Sequence, residues 1–111
     1  MDLERTEVAL RIVHEAVNRR IITPLPHAPG TPLVDQLRLY ARGARKDASW
    51  HLRRLRFDFS APQRLKRVFK RIKKEAKYLE KHRKAIIKEY EFHFFCSQEW
   101  IPKTYSSGDK E

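Results

Sequence analysis

The chain is poor in several things that define whole protein classes. It has one cysteine, which excludes a disulfide framework and a four-cysteine zinc site. It has three glycines and almost no two-residue hairpin signals, which argues against an all-β domain. No apolar run approaches the roughly 18 residues of a membrane-spanning helix, so membrane insertion is not expected. The first residues are broken by charge throughout, unlike a secretory signal, and they carry acids, unlike a mitochondrial transit peptide. Acids are scarce overall: 14 Asp and Glu stand against 25 Lys and Arg, a net charge of +11 over 111 residues. What remains is one domain's worth of a strongly basic chain, a composition that usually meets a polyanion.

The charge is not evenly spread. Residues 1–33 hold four acids and four bases, residues 34–91 hold 19 bases and seven acids, and residues 92–111 hold two bases and three acids. The excess is therefore internal, flanked by two near-neutral segments suited to contacts with protein.

Helical periodicity dominates. Ala9, Ile12, Val13, Ala16 and Val17, with Leu10 on the flank, recur at three- and four-residue spacing and predict an amphipathic helix within 1–22, with Thr6 a candidate cap. Four prolines mark 23–32 as an extended connector. Thr31-Pro32 suits a helix start. Leu33, Leu37, Tyr40 and Ala44 then make an apolar stripe beside a second stripe of Arg38, Arg42 and Arg45. Gly43 weakens the end of that helix, so 33–59 reads as a short helix followed by an Arg-rich turn. Ser60-Ala61-Pro62-Gln63 has the form of a capping box, with Phe59 placed as its hydrophobic staple. A long basic helix over 60–95 follows, with Leu65, Phe69, Ile72, Ala76, Leu79, Arg83, Ile86 and Tyr90 on one narrow seam. Thirty residues of helix span about 45 Å, more than so small a remainder is expected to cover. The expected fold is all-α, extended and non-globular, with little core of its own. Residues 96–111 form an aromatic and then polar tail.

Catalysis finds no support. His93 and Cys96 lack further metal ligands, Cys96 lacks a base, and no Walker A or dinucleotide fingerprint occurs. No cofactor, small-molecule substrate or enzymatic role is expected. The basic segment is different. Between Arg64 and Lys74 there is no acid, and a polyanion would relieve the repulsion while releasing counterions. The candidate phosphate contacts are Arg53, Arg54, Arg56, Arg64, Lys66, Arg67, Lys70, Arg71, Lys73 and Lys74, with arginines suited to bidentate contact. Trp50, Phe57 and Phe59 suit stacking on unpaired bases. Phe57, Phe59, Ser60 and Pro62 are expected to anchor the turn, and Phe94, Phe95 and Trp100 either to dock on another protein or to fold back onto the first helix.

Two stretches carry a resemblance. Glu7-Val8-Ala9-Leu10-Arg11, and Leu52-Arg53-Arg54-Leu55-Arg56-Phe57-Asp58-Phe59-Ser60-Ala61-Pro62 running into Gln63-Arg64-Leu65-Lys66-Arg67, are similar in order to the small ribosomal subunit protein twenty-one family. The likeness covers about half the chain, mainly 7–17 and 52–77. In the family the aromatic-acid-proline block is shorter, and the connector and the 33–45 helix would be insertions. The resemblance implies a structural constituent of a small ribosomal subunit that binds ribosomal RNA beside neighbouring ribosomal proteins. The length points to a mitochondrial ribosome in the matrix, the alternative being a cytoplasmic one. A second resemblance, of Leu39-Tyr40-Ala41-Arg42 to the Leu-Tyr-Arg type of small mitochondrial protein, implies instead an accessory subunit or assembly factor of a respiratory complex.

Overall fold

Asp2 starts the first helix. Its side chain accepts the backbone N–H of Arg5 at 3.1 Å, which satisfies one of the orphan donors of a helix start. Thr6 is therefore not the cap. It is buried, donates its hydroxyl to the Asp2 carbonyl at 2.9 Å and meets the Tyr78 hydroxyl at 2.9 Å. The computed structural model describes residues 2–89, and these are helical and without strand. Helix α1 spans Leu3–Asn18, α2 Leu33–Arg56 and α3 Gln63–Lys81; a further helical segment, α4, is described over 83–89.

Each apolar stripe becomes a buried face. Ala9, Leu10, Val13 and Ala16 of α1 meet Phe69, Ile72, Ala76 and Leu79 of α3 and Leu37, Tyr40, Ala41, Ala44 and Ala48 of α2 in one core. Helix α3 lies in the middle, packed against α2, which runs antiparallel to it, and against α1. The α2 face is mostly alanine, which lets its backbone come close to α3. Arg42 and Arg45 on α2 meet Glu80 on α3, and His51 stacks on Phe69 with ring centroids 4.5 Å apart.

The extended, non-globular expectation is corrected here. The radius of gyration is 14.4 Å and the extents are 45 × 35 × 18 Å, against about 30 Å of gyration radius for an unfolded chain of 100 residues. The seam of α3 needs no outside partner because α2 does not stop near Arg45. It runs 24 residues, through Gly43, to Arg56, about 36 Å of cover. The long 60–95 helix is also corrected: α3 ends at Lys81 with His82 as its C-cap. There Arg83 Nη1 donates to the Glu80 carbonyl at 2.8 Å, in competition with the helix ladder. The seam nevertheless continues past the break, since Ile86 is fully buried.

The connector is held firmly. After α1 the chain reverses with Arg20 at φ 60°, and Ile21 and Arg20 return their N–H groups to Ala16 and Val17 in a Schellman-type turn. Ile22 and Pro24 are buried, and the Thr23 N–H donates to Asp47 Oδ2 at 2.8 Å. Gly43 lies directly under this crossing: a Cβ there would come within 2.6 Å of the Pro24 carbonyl carbon.

The acids of α3 are spent internally. Glu75, 1% exposed, pairs with Arg5 and Arg71. Glu80 receives Arg42 at 3.0 Å and Arg45 at 2.9 Å. Burial pushes the Glu80 carboxyl up, but the hydrogen bonds and charges of Arg45 and Arg42 outweigh it and hold it below its ordinary 4.5. A lowered folded-state value means stability that is present above the unfolded value and lost as pH falls through the folded one. Glu80→Gln should therefore weaken the fold at neutral pH and show a shallower loss of stability below about pH 4.5. Urea midpoints of both proteins from neutral to acid check this; parallel curves would contradict it.

Candidate nucleic-acid interface

Helix α2 ends with Arg53, Arg54 and Arg56 in its last turn, where cations favourably meet the negative end of the helix dipole. The chain then reverses over 57–62. Asp58 organises this turn: its Oδ1 accepts the Ser60 N–H at 3.1 Å and the Ser60 hydroxyl at 2.6 Å. The Ser60 hydroxyl, then the Ser60 amide, hold the Asp58 carboxyl below its usual range, so it stays ionised. The capping box is thus a correction. Ser60 serves Asp58, the N-cap position of α3 is Pro62, and no side chain caps it. Phe59 is no staple and Phe57 no anchor: they are 98% and 76% exposed.

From this turn α3 runs back beside α2, and the two helices enclose a basic groove of roughly 970 Å³. Arg53 and Arg56 line it from α2, with Ser49 and Leu52; Lys66, Lys70, Lys73, Lys74 and Lys77 line it from α3. Seven cations share this surface with no carboxylate. The reason is helical phase. Residues 66, 70, 73 and 77 recur at four- and three-residue spacing on one face, while Glu75 and Glu80 point away to their arginines. Seven cations crowded on one concave surface raise the local positive potential and concentrate anions there.

Six of the ten expected phosphate contacts, Arg53, Arg56, Lys66, Lys70, Lys73 and Lys74, come together in the groove. The other four do not. Arg54 lies over the Trp50 ring, 4.8 Å from its centroid. Arg64, Arg67 and Arg71 lie on the α1 side of α3, beside a shallow trough floored by Ile12, Ile21 and Val68, and Arg71 is tied to Glu75. Lys77 belongs to the groove but not to the expected set, although its place in the 66-70-73-77 series is visible in the sequence. Phe94, Phe95 and Trp100, with His93 and Cys96, lie outside the described residues. Among the described residues no cluster of His, Cys, Asp or Glu is arranged to hold a metal ion, and no helix is long and apolar enough to cross a membrane. No protein-family model, curated protein or solved structure matches this chain.

Proposed function

We propose that the protein is a structural RNA-binding protein that grips phosphates in the α2–α3 groove and is built into a ribonucleoprotein particle. The observation that carries this is the groove itself: seven cations without a carboxylate, on a chain whose inner acids are already paired. A particle of small-subunit ribosomal type, in a mitochondrion, is the reading suggested by the likeness at 7–11 and 52–67. In those stretches Ala9 and Leu10 are core, while Arg53, Arg56 and Lys66 line the groove. Neighbouring proteins would meet the surfaces away from the groove. The respiratory-complex reading rests on Leu39-Tyr40-Ala41-Arg42, where Tyr40 is buried and Arg42 holds Glu80. Those two side chains already have work within the chain.

Sedimentation of the tagged protein from lysate, at low and high salt and with and without ribonuclease, tests the proposal. Co-migration with small-subunit RNA should be weakened by salt and abolished by ribonuclease. Migration with a membrane complex, indifferent to ribonuclease, would overturn it.

A further inference from the structure

Water-exposed phenylalanines at a tight turn are expensive places for apolar surface, and such patches on soluble proteins mark contact sites. Here they form a line. Trp50 and Arg54 on α2 and Phe57 at its C-cap recur at four- and three-residue spacing, so they lie about one helical turn apart on the same face. Trp50 is 45% exposed, with the Arg54 guanidinium over its ring and the His51 ring against its edge, which holds the indole in place. Phe57 closes α2, and Phe59 projects from a turn locked by Asp58, Ser60 and Ala61. Phe57 and Phe59 thus stand at the end of the groove, in the turn between Arg56 on one wall and Lys66 on the other, whereas Trp50 and Arg54 lie on a different face of α2 from Ser49, Leu52, Arg53 and Arg56.

We infer that Phe57 and Phe59 stack on unpaired bases of a strand whose phosphates lie in the groove, so that the protein selects single-stranded or looped RNA over duplex. The inference rests on the phosphate-gripping function proposed above and names its substrate. Two features favour an unpaired strand. Packed helices have axes about 8–10 Å apart, so the furrow between them is narrower than a duplex, which can only lie across its rim. A duplex also hides its base faces, whereas an unpaired strand offers both phosphates and π-faces to a surface that pairs cations with aromatic rings. The backbone that carries both rings is already fixed by the bonds among Asp58, Ser60 and Ala61, so less conformational freedom is lost on binding.

The test uses the full chain and three probes: a single-stranded oligoribonucleotide, a hairpin with the same number of phosphates, and inorganic polyphosphate. The single strand should bind more tightly than the hairpin. Phe57→Ser and Phe59→Ser should each lower single-strand affinity by roughly five- to a hundredfold and leave polyphosphate binding unchanged. Equal affinity for strand and hairpin, or single-strand binding untouched by the phenylalanine variants, overturns the inference and leaves these rings to a protein neighbour. Absence of salt-dependent binding to all three probes would instead overturn the phosphate-gripping function.

Discussion

Replacing Lys66, Lys70, Lys73 and Lys77 together with glutamine should cut affinity for single-stranded RNA on the order of a hundredfold near physiological salt. It should also make the slope of log affinity against log salt shallower by about 3, at about 0.7 for each phosphate no longer neutralised. All four line the groove, so each removes one cation from the same surface. The fold should not suffer. None of the four is buried, and like charges at four-residue spacing destabilise a helix by about 0.2–0.5 kcal/mol per pair. The thermal midpoint at low salt should therefore hold or rise. Binding titrations across a salt series, alongside thermal melts, separate the two effects. The comparison variant is Arg64→Gln with Arg67→Gln, on the α1 side of α3; it should cost less per charge removed. Equal cost per charge from both sets would mean that the chain binds through diffuse charge and not through the groove.

The seam of α3 is legible in the sequence because burial imposes a phase on it. Phe69, Ile72, Ala76, Leu79 and Ile86 stand where the three-four alternation puts them, and all are buried. The same phase, applied to the basic residues, separates Lys66, Lys70, Lys73 and Lys77 from Arg64, Arg67 and Arg71. Reading the basic block as one stretch mixes two faces of a helix. The length of α2 is not legible. Gly43 and the polar run after it look like a helix end when propensity alone is weighed. Tertiary context decides otherwise: Ala44 and Ala48 bury beyond the glycine, and the connector needs the missing side chain. From that one misreading the extended shape follows, because a helix ending near Arg45 would leave the seam uncovered. The capping box fails for a local reason. Asp58 sits two residues before Ser60 and takes its hydroxyl first, in the Asx-type bond that such pairs form.

Gly43→Ala should destabilise the fold by about 2–4 kcal/mol, although the same change at an open helix position stabilises by about 1 kcal/mol. The opposing term is steric. The added methyl would lie within 2.6 Å of the Pro24 carbonyl carbon, and the nearest atoms are backbone and cannot swing aside. Relief requires lifting the connector. That strains the Thr23–Asp47 hydrogen bond, worth about 0.5–1.5 kcal/mol, and loosens buried Ile22, whose burial is worth about 1.5–3 kcal/mol. In a domain of this size about 3 kcal/mol lowers the thermal midpoint by well over 10 °C. Gly30 supplies the contrast: it has φ 86° but nothing within 4 Å of an added Cβ, so Gly30→Ala should cost only a modest backbone penalty. Asp47→Ala tests the route. It removes the connector's other tie, so its cost and that of Gly43→Ala should fall short of additive in the double variant. Additive costs, or a Gly43→Ala protein as stable as the parent by urea denaturation, would show that the connector yields freely and that the close crossing does not hold α1 to the bundle.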